Sequence, residues 1–147
     1  MKIIQAAARQ KGIKVLPVDA RTPEEIERGY ATMKRESAEA VIVVNDPFLA
    51  LQRWRIAELA LKNRMPSMSA TREEVQAGGL MSYGTNLADL YRRTATVVDK
   101  ILKGARPADL PVEQPTVFEM VIKMKTAKAL GIKVPQAILL HATKVIE

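Results

Sequence analysis

Apolar residues recur along this chain in two periods, near 3.6 and near 2, and the switching between them predicts helices and strands in turn. Ile3 to Lys11 reads as a helix that stops at Gly12, a usual C-terminal cap residue. Ile13 to Val18 is a short apolar run with Pro17 inside it. Proline cannot donate to a ladder, so this strand is expected at a sheet edge or to end early. Thr22-Pro23-Glu24-Glu25 opens the next helix, with threonine as N-cap, proline at the first position and glutamate closing a capping box. Ile26, Tyr30 and Met33 then share one face. Ala40 to Val44 is a continuous, β-branched run, the pattern of a strand buried on both faces. Asn45-Asp46-Pro47 ends it and starts a helix whose apolar arc is Leu49, Ile56, Ala57, Ala60 and Leu61. Trp54 on that helix reads as a packing residue in the core or at an interface. Met65 to Ser69 is a further short strand.

The stretch from Glu73 to Glu119 is the most regular. A short helix, Glu73 to Ala77, is broken by Gly78-Gly79, followed by a strand from Leu80 to Tyr83. After Gly84 comes the strongest helical pattern, Asn86 to Lys103, closed by Gly104. Leu87, Leu90, Tyr91, Thr94, Val98, Ile101 and Leu102 share one face, and Asp89, Arg92, Asp99, Lys100 and Lys103 the other. The expectation is that Leu90, Val98 and Ile101 bury against a sheet, so that Val98→Asp would prevent folding. Prolines punctuate Arg106 to Glu113. Beyond Pro115, Val117 to Ile122 reads as a strand, Thr126 to Leu130 as a short helix and Pro135 to Thr143 as a terminal helix. Alternating strands and helices predict an α/β fold: a doubly wound, mainly parallel sheet of four or five strands from residues 1 to about 106, with a C-terminal strand-helix tail.

Composition narrows the function. The net charge of +7 raises a nucleic-acid reading, but lysines and arginines are spread singly along the helices. With two Phe, three Tyr and one Trp, stacking platforms for single strands are few, so a mildly basic solvated surface is expected and no nucleic-acid partner. No apolar run approaches the ~20 residues of a membrane span, so no membrane insertion is expected. Cysteine is absent. The first residues lack the apolar core and cleavage site of a secretory signal, so the chain as written is expected in the cytoplasm.

Catalytic chemistry is sparse. The single histidine, His141, has no carboxylate near it in sequence and reads as a surface or cap residue. Metal-ligand spacing and a phosphate loop are both lacking, so no enzyme activity, metal or cofactor is expected. Binding chemistry is placed instead at strand ends, where ligands of open parallel sheets lie. Asn45 and Asp46 follow one strand, and Asp46 suits either a ligand ammonium group or the cap of the following helix. Ser82, Tyr83 and Gly84 end another strand. They offer two hydroxyls, a ring face and close backbone approach, or simply a turn with Thr85 or Asn86 as N-cap.

Gly-Gly-Leu-Met-Ser-Tyr-Gly, Asn-Leu-Ala-Asp-Leu-Tyr-Arg-Arg and Ile-Leu-Lys-Gly-Ala-Arg-Pro-Ala-Asp-Leu-Pro-Val-Glu-Gln-Pro-Thr closely resemble the ABC-transporter substrate-binding protein family. The resemblance runs from about Ile3 to the C-terminus. It implies a periplasmic, two-lobed solute-binding fold with an amino-acid-like solute in the cleft between the lobes, an ABC permease as partner, and ligand contacts from Asn45, Asp46, Ser82, Tyr83 and Gly84. It covers only the second half of such a protein. Residues 1–106 are expected to form the second lobe, and residues 107–147 a crossover tail that returns to the first. The expected function is therefore a truncated solute-binding component, or alternatively a remnant that binds no solute and acts as an oligomerising interaction domain. The apolar tail, expected to lack its docking lobe, predicts a homodimer exchanging residues after about Pro111.

Overall fold

Helix ends in the computed structural model, which describes residues 2–112 and 114–147, fall where local hydrogen bonding dictates. Glu113 of the proline-punctuated segment lies outside the described residues. The chain divides into two units, Met1–Glu39 and Ala40–Glu147.

In the first unit, α1 (Lys2–Gln10) ends at Gly12, whose φ of 67° lets the Ile13 amide reach back to the Ala8 carbonyl at 2.9 Å. Helix α2 (Pro23–Arg35) is capped by Thr22, whose side chain accepts from the Glu25 amide, while Glu25 Oε2 accepts from the Arg21 amide at 2.7 Å. Ile26, Tyr30 and Met33 are buried along one face of α2. Burial pushes the Tyr30 phenol above its ordinary value. Ile13 to Val18, expected as a strand, forms no strand among the described residues. An extended segment becomes a strand only by pairing, and the regular elements of this unit are helices.

The second unit is the sheet-bearing one. Its elements are β1 (Val41–Ile42), α3 (Pro47–Leu51), α4 (Arg53–Lys62), β2 (Ser67–Ser69), α5 (Arg72–Gln76), β3 (Met81–Thr85), α6 (Leu87–Leu102), a 3-10 turn (Pro107–Asp109), β4 (Phe118–Lys123), α7 (Met124–Leu130), α8 (Gln136–His141) and β5 (Lys144–Ile146). The strands form one sheet in the order β1-β2-β3-β4-β5. All neighbours run parallel except β3 and β4, which pair antiparallel from Met81↔Ile122 to Thr85↔Phe118. The architecture is α/β with a mostly parallel sheet. Val75 on α5, Val121 and Ile122 on β4 and Ala127 on α7 form its driest part.

Several expectations change here. The segment 107–147 contributes β4 and β5 to this same sheet, and the break between units falls at Glu39/Ala40. The tail is fastened by Thr126 Oγ1 donating to the Gly78 carbonyl at 2.9 Å and Lys123 Nζ to the Gln76 carbonyl at 2.9 Å. Within this chain strand β4 is paired on both sides, and β5 of the tail is an edge of the sheet. Strand β1 is not buried on both faces: it is the edge of the sheet, and Ile42 stands 64% exposed. Trp54 likewise projects from α4 into solvent rather than into the core.

The largest correction concerns α6. Its span matches the periodicity, and its C-terminus closes at Gly104 with φ 99°. Yet it buries no residue, and it makes no extensive contact with any strand or helix among the described residues. Leu90, Val98 and Ile101 are exposed. Amphipathic spacing correctly reports an apolar face but not what that face packs against. Val98→Asp is therefore expected to leave this fold intact, contrary to the expectation from sequence.

Candidate functional site

Strands β1, β2 and β3 run parallel, so their carboxyl ends open onto one edge of the sheet, and the antiparallel β4 begins at that same edge. Four chain segments meet there: Asn45–Asp46 after β1, Ala70–Arg72 after β2, Tyr83–Asn86 at the end of β3 and Phe118–Glu119 at the start of β4. Asn45 is exposed. Asp46 caps α3, with Oδ1 accepting from the Phe48 amide at 2.8 Å and the Leu49 amide at 3.2 Å. Capping is thus the role its geometry displays, through one carboxylate oxygen.

Alternation along β3 separates the other expected residues. Tyr83 faces outward, 50% exposed, and stacks on Phe118 with ring centroids 5.9 Å apart and planes 17° from parallel. Phe118 sits diagonally across the pair, since Tyr83 faces Met120 and Thr85 faces Phe118. Ser82 points to the opposite face, where Val121 and Glu119 also lie, and is only 1% exposed. It is therefore turned inward, on the face opposite Tyr83. Its hydroxyl makes no hydrogen bond among the described residues. Ser82→Ala is expected to raise stability by about 1 kcal/mol, because it removes an unpaired buried hydroxyl at little cost in volume. A urea midpoint lowered by the substitution would show that the hydroxyl is satisfied in solution.

Gly84 is needed for packing. A Cβ built on it would collide with the carbonyl oxygen of Ala70, so the ends of β2 and β3 approach more closely than any side chain allows.

A polar cluster that the sequence reading passed over completes the edge. Glu119 is buried, yet it accepts from Asn86 Nδ2 at 3.0 Å and lies 4.0 Å from the Arg72 guanidinium. Asn86 uses its other amide atom to cap α6, accepting from the Asp89 amide at 3.0 Å. Arg72 opens α5, whose Thr71 cap is closed by Glu74 Oε2 at 3.3 Å from the Thr71 amide. The one sequence signal for this cluster is Glu119 itself, a lone carboxylate inside an apolar strand run. A small cavity behind the sheet, lined by Arg53, Ser67, Ser69 and Glu74 among others, holds little more than one water molecule and is no solute pocket. Among the described residues no cluster of His, Asp and Glu is placed to hold a metal, and no helix is long and apolar enough to cross a membrane.

Comparison with known proteins gives this edge a context. The family model described as "ABC transporter substrate binding protein" matches residues 1–146. The chain belongs to that family. Among curated proteins none matches it. Of solved structures, a conserved domain protein from Vibrio cholerae is similar at 25% identity and TM-score 0.89, with 99% of this chain and 49% of that one covered. An ABC domain from Streptococcus pneumonia, in complex with L-Trp, is similar at 28% identity and TM-score 0.88, covering 99% and 50%. A ligand-free, open substrate binding protein from Clostridium difficile, at 23% identity and TM-score 0.70, shares the fold. The chain therefore spans about half the length of the structures it matches. This substrate-binding family member has the fold of periplasmic-binding-protein-like domains over its whole length.

Proposed function

We propose that the chain forms one wall of the solute cleft in the binding component of an ABC importer, and that the solute is small and amino-acid-like. The observation that supports this reading is that Asp46, the open Tyr83–Phe118 ring pair and, on the opposite face of the strands from those rings, the Arg72–Glu119–Asn86 cluster all lie at the carboxyl edge of the sheet. Open α/β sheets bind ligands at that edge. A carboxylate suits an ammonium group, a guanidinium suits a carboxylate, and stacked rings suit an apolar side chain. The bound L-Trp of the Streptococcus relative is a solute of this chemistry. In the complete protein the work would be periplasmic delivery of the solute to an ABC permease, with no chemical step.

One wall alone binds weakly. Closure supplies desolvation and a second set of contacts, and without them affinity is expected to be on the order of millimolar or poorer. Calorimetric titration with aromatic and branched amino acids tests this, and both Asp46→Ala and Tyr83→Ala should weaken whatever binding is seen. Affinity that neither substitution changes would place the pocket elsewhere.

A further inference from the structure

Positive charge is unevenly distributed along the second unit. Residues 120–146 contain Lys123, Lys125, Lys128, Lys133 and Lys144 and no Asp or Glu, so this stretch carries most of the chain's net charge of +7. Folding gathers these lysines at one end of the sheet. Helix α7 buries Thr126 and Ala127 and turns Lys125 and Lys128 to solvent. It packs against β5, where Lys144 is exposed and faces the same side of the sheet as Val121. Lys133 is exposed just beyond the Gly131 cap of α7. Lys123 donates to the Gln76 carbonyl, and the other four ammonium groups form no ion pair among the described residues. Of the two flanking carboxylates, Glu119 is buried beside Asn86 and Arg72, which leaves only Glu147 exposed. Aliphatic surface accompanies the charge. Helix α8 leads into β5 and exposes Ile138 and Leu140, the latter at 76%.

We infer that the end of the fold formed by α7, α8 and β5 is a surface that adsorbs to an anionic lipid bilayer. Two features select lipid headgroups over other acidic partners. The cations of this stretch are all lysine, whereas every arginine of the chain precedes residue 107. An arginine fork suits the fixed carboxylate of a protein partner, and a lysine is a mobile, hydrated point charge that suits a fluid layer of phosphates. The stretch also has no Phe, Tyr or Trp on which a nucleobase could stack. Ile138 and Leu140 instead offer side chains that the boundary between headgroups and acyl chains takes up. The contact is peripheral, since no helix among the described residues is long and apolar enough to cross a membrane. It goes beyond solute binding and does not depend on it, because the lysines lie outside the strand-end residues assigned to the solute.

Co-sedimentation of the full chain with lipid vesicles is the test. Vesicles of phosphatidylcholine containing roughly a third phosphatidylglycerol should bind the protein, and phosphatidylcholine alone should not. Raising the salt from about 0.05 M to about 0.5 M should weaken binding by roughly tenfold or more. A lysine near such a surface is worth about fivefold in partitioning, so Lys125→Gln with Lys128→Gln should lose on the order of 25-fold. Lys34→Gln with Lys100→Gln removes the same charge from two exposed lysines elsewhere and should lose roughly twofold or less. Leu140→Ser should weaken binding several-fold with the charge unchanged. The substituted positions are exposed, and circular dichroism checks that each variant keeps its fold, while the salt and lipid comparisons need only the parent chain. Failure to bind the anionic vesicles would overturn the proposal. So would equal binding to the neutral vesicles, or equal losses from the two lysine pairs, which would reduce the effect to bulk charge. Retention on immobilised polyglutamate without any vesicle binding would point to an acidic protein face as the partner, and the proposal fails.

Discussion

Gly84→Ala is expected to cost about 3 kcal/mol or more, a large share of the roughly 5–15 kcal/mol that holds a domain together. The added methyl would overlap the Ala70 carbonyl oxygen and sit 3.0 Å from its carbonyl carbon. Neither partner can yield cheaply. Ala70 directly follows β2, and Gly84 lies in β3, the middle strand of the sheet, where it faces Glu119 of β4. Moving β3 away would break its pairing on one side or compress it on the other, and it would disturb the Asn86–Glu119 hydrogen bond two residues on. Poor soluble yield, or a urea midpoint far below that of the parent chain, is the expected result. An unchanged midpoint would mean that β2 and β3 stand further apart than this geometry has them.

The same chemical change, valine to aspartate, should give opposite results at two positions. Val121 is 0% exposed, between β3 and β5, opposite Ser82 on one side and Lys144 on the other. An aspartate there would place a carboxylate at a fully buried position, where the one cation in register, Lys144 on β5, is an exposed side chain. Val121→Asp should therefore cost about 4 kcal/mol or more and leave the chain unfolded or insoluble. Val98, by contrast, is 47% exposed on the apolar face of α6. Val98→Asp should change stability by no more than about 0.5 kcal/mol, as surface substitutions do. Paired denaturation curves check both. Equal losses at the two positions would show that α6 packs against its own sheet.

Helix ends were legible in the chain because they are decided within one turn. Thr22 and Asp46 accept from amides two or three residues ahead, and Gly12 and Gly104 supply the positive φ at which the chain can turn out of a helix. These contacts need no distant partner, so residue type and spacing suffice. The strands at Met65–Ser69, Leu80–Tyr83 and Val117–Ile122 were legible for a weaker reason, since apolar runs between turn residues leave few alternatives. Of the candidate site, Asp46 follows β1 and Ser82 and Tyr83 both lie in β3, but Ser82 and Tyr83 face opposite sides, because the pleat turns each successive side chain to the other face and only register says which face is covered.

Tertiary structure alone decided the rest, in each case because a partner far along the chain was required. Ile13 to Val18 has strand composition but joins no sheet among the described residues. Lys144–Ile146 has little strand signal and becomes β5 because β4 receives it, with the Thr143 amide donating to the Met120 carbonyl at 2.8 Å and Thr143 Oγ1 accepting from the Met120 amide at 3.1 Å. Glu119 is tolerated in the buried sheet because Asn86, 33 residues away, and Arg72 reach it. The sequence by itself determined that α6 is a helix with one apolar face. Hydrophobic periodicity states that such a face will be covered, since burying it is favourable wherever the cover comes from. Only the packed sheet shows that, among the described residues, the strands and helices of the second unit do not bury that face.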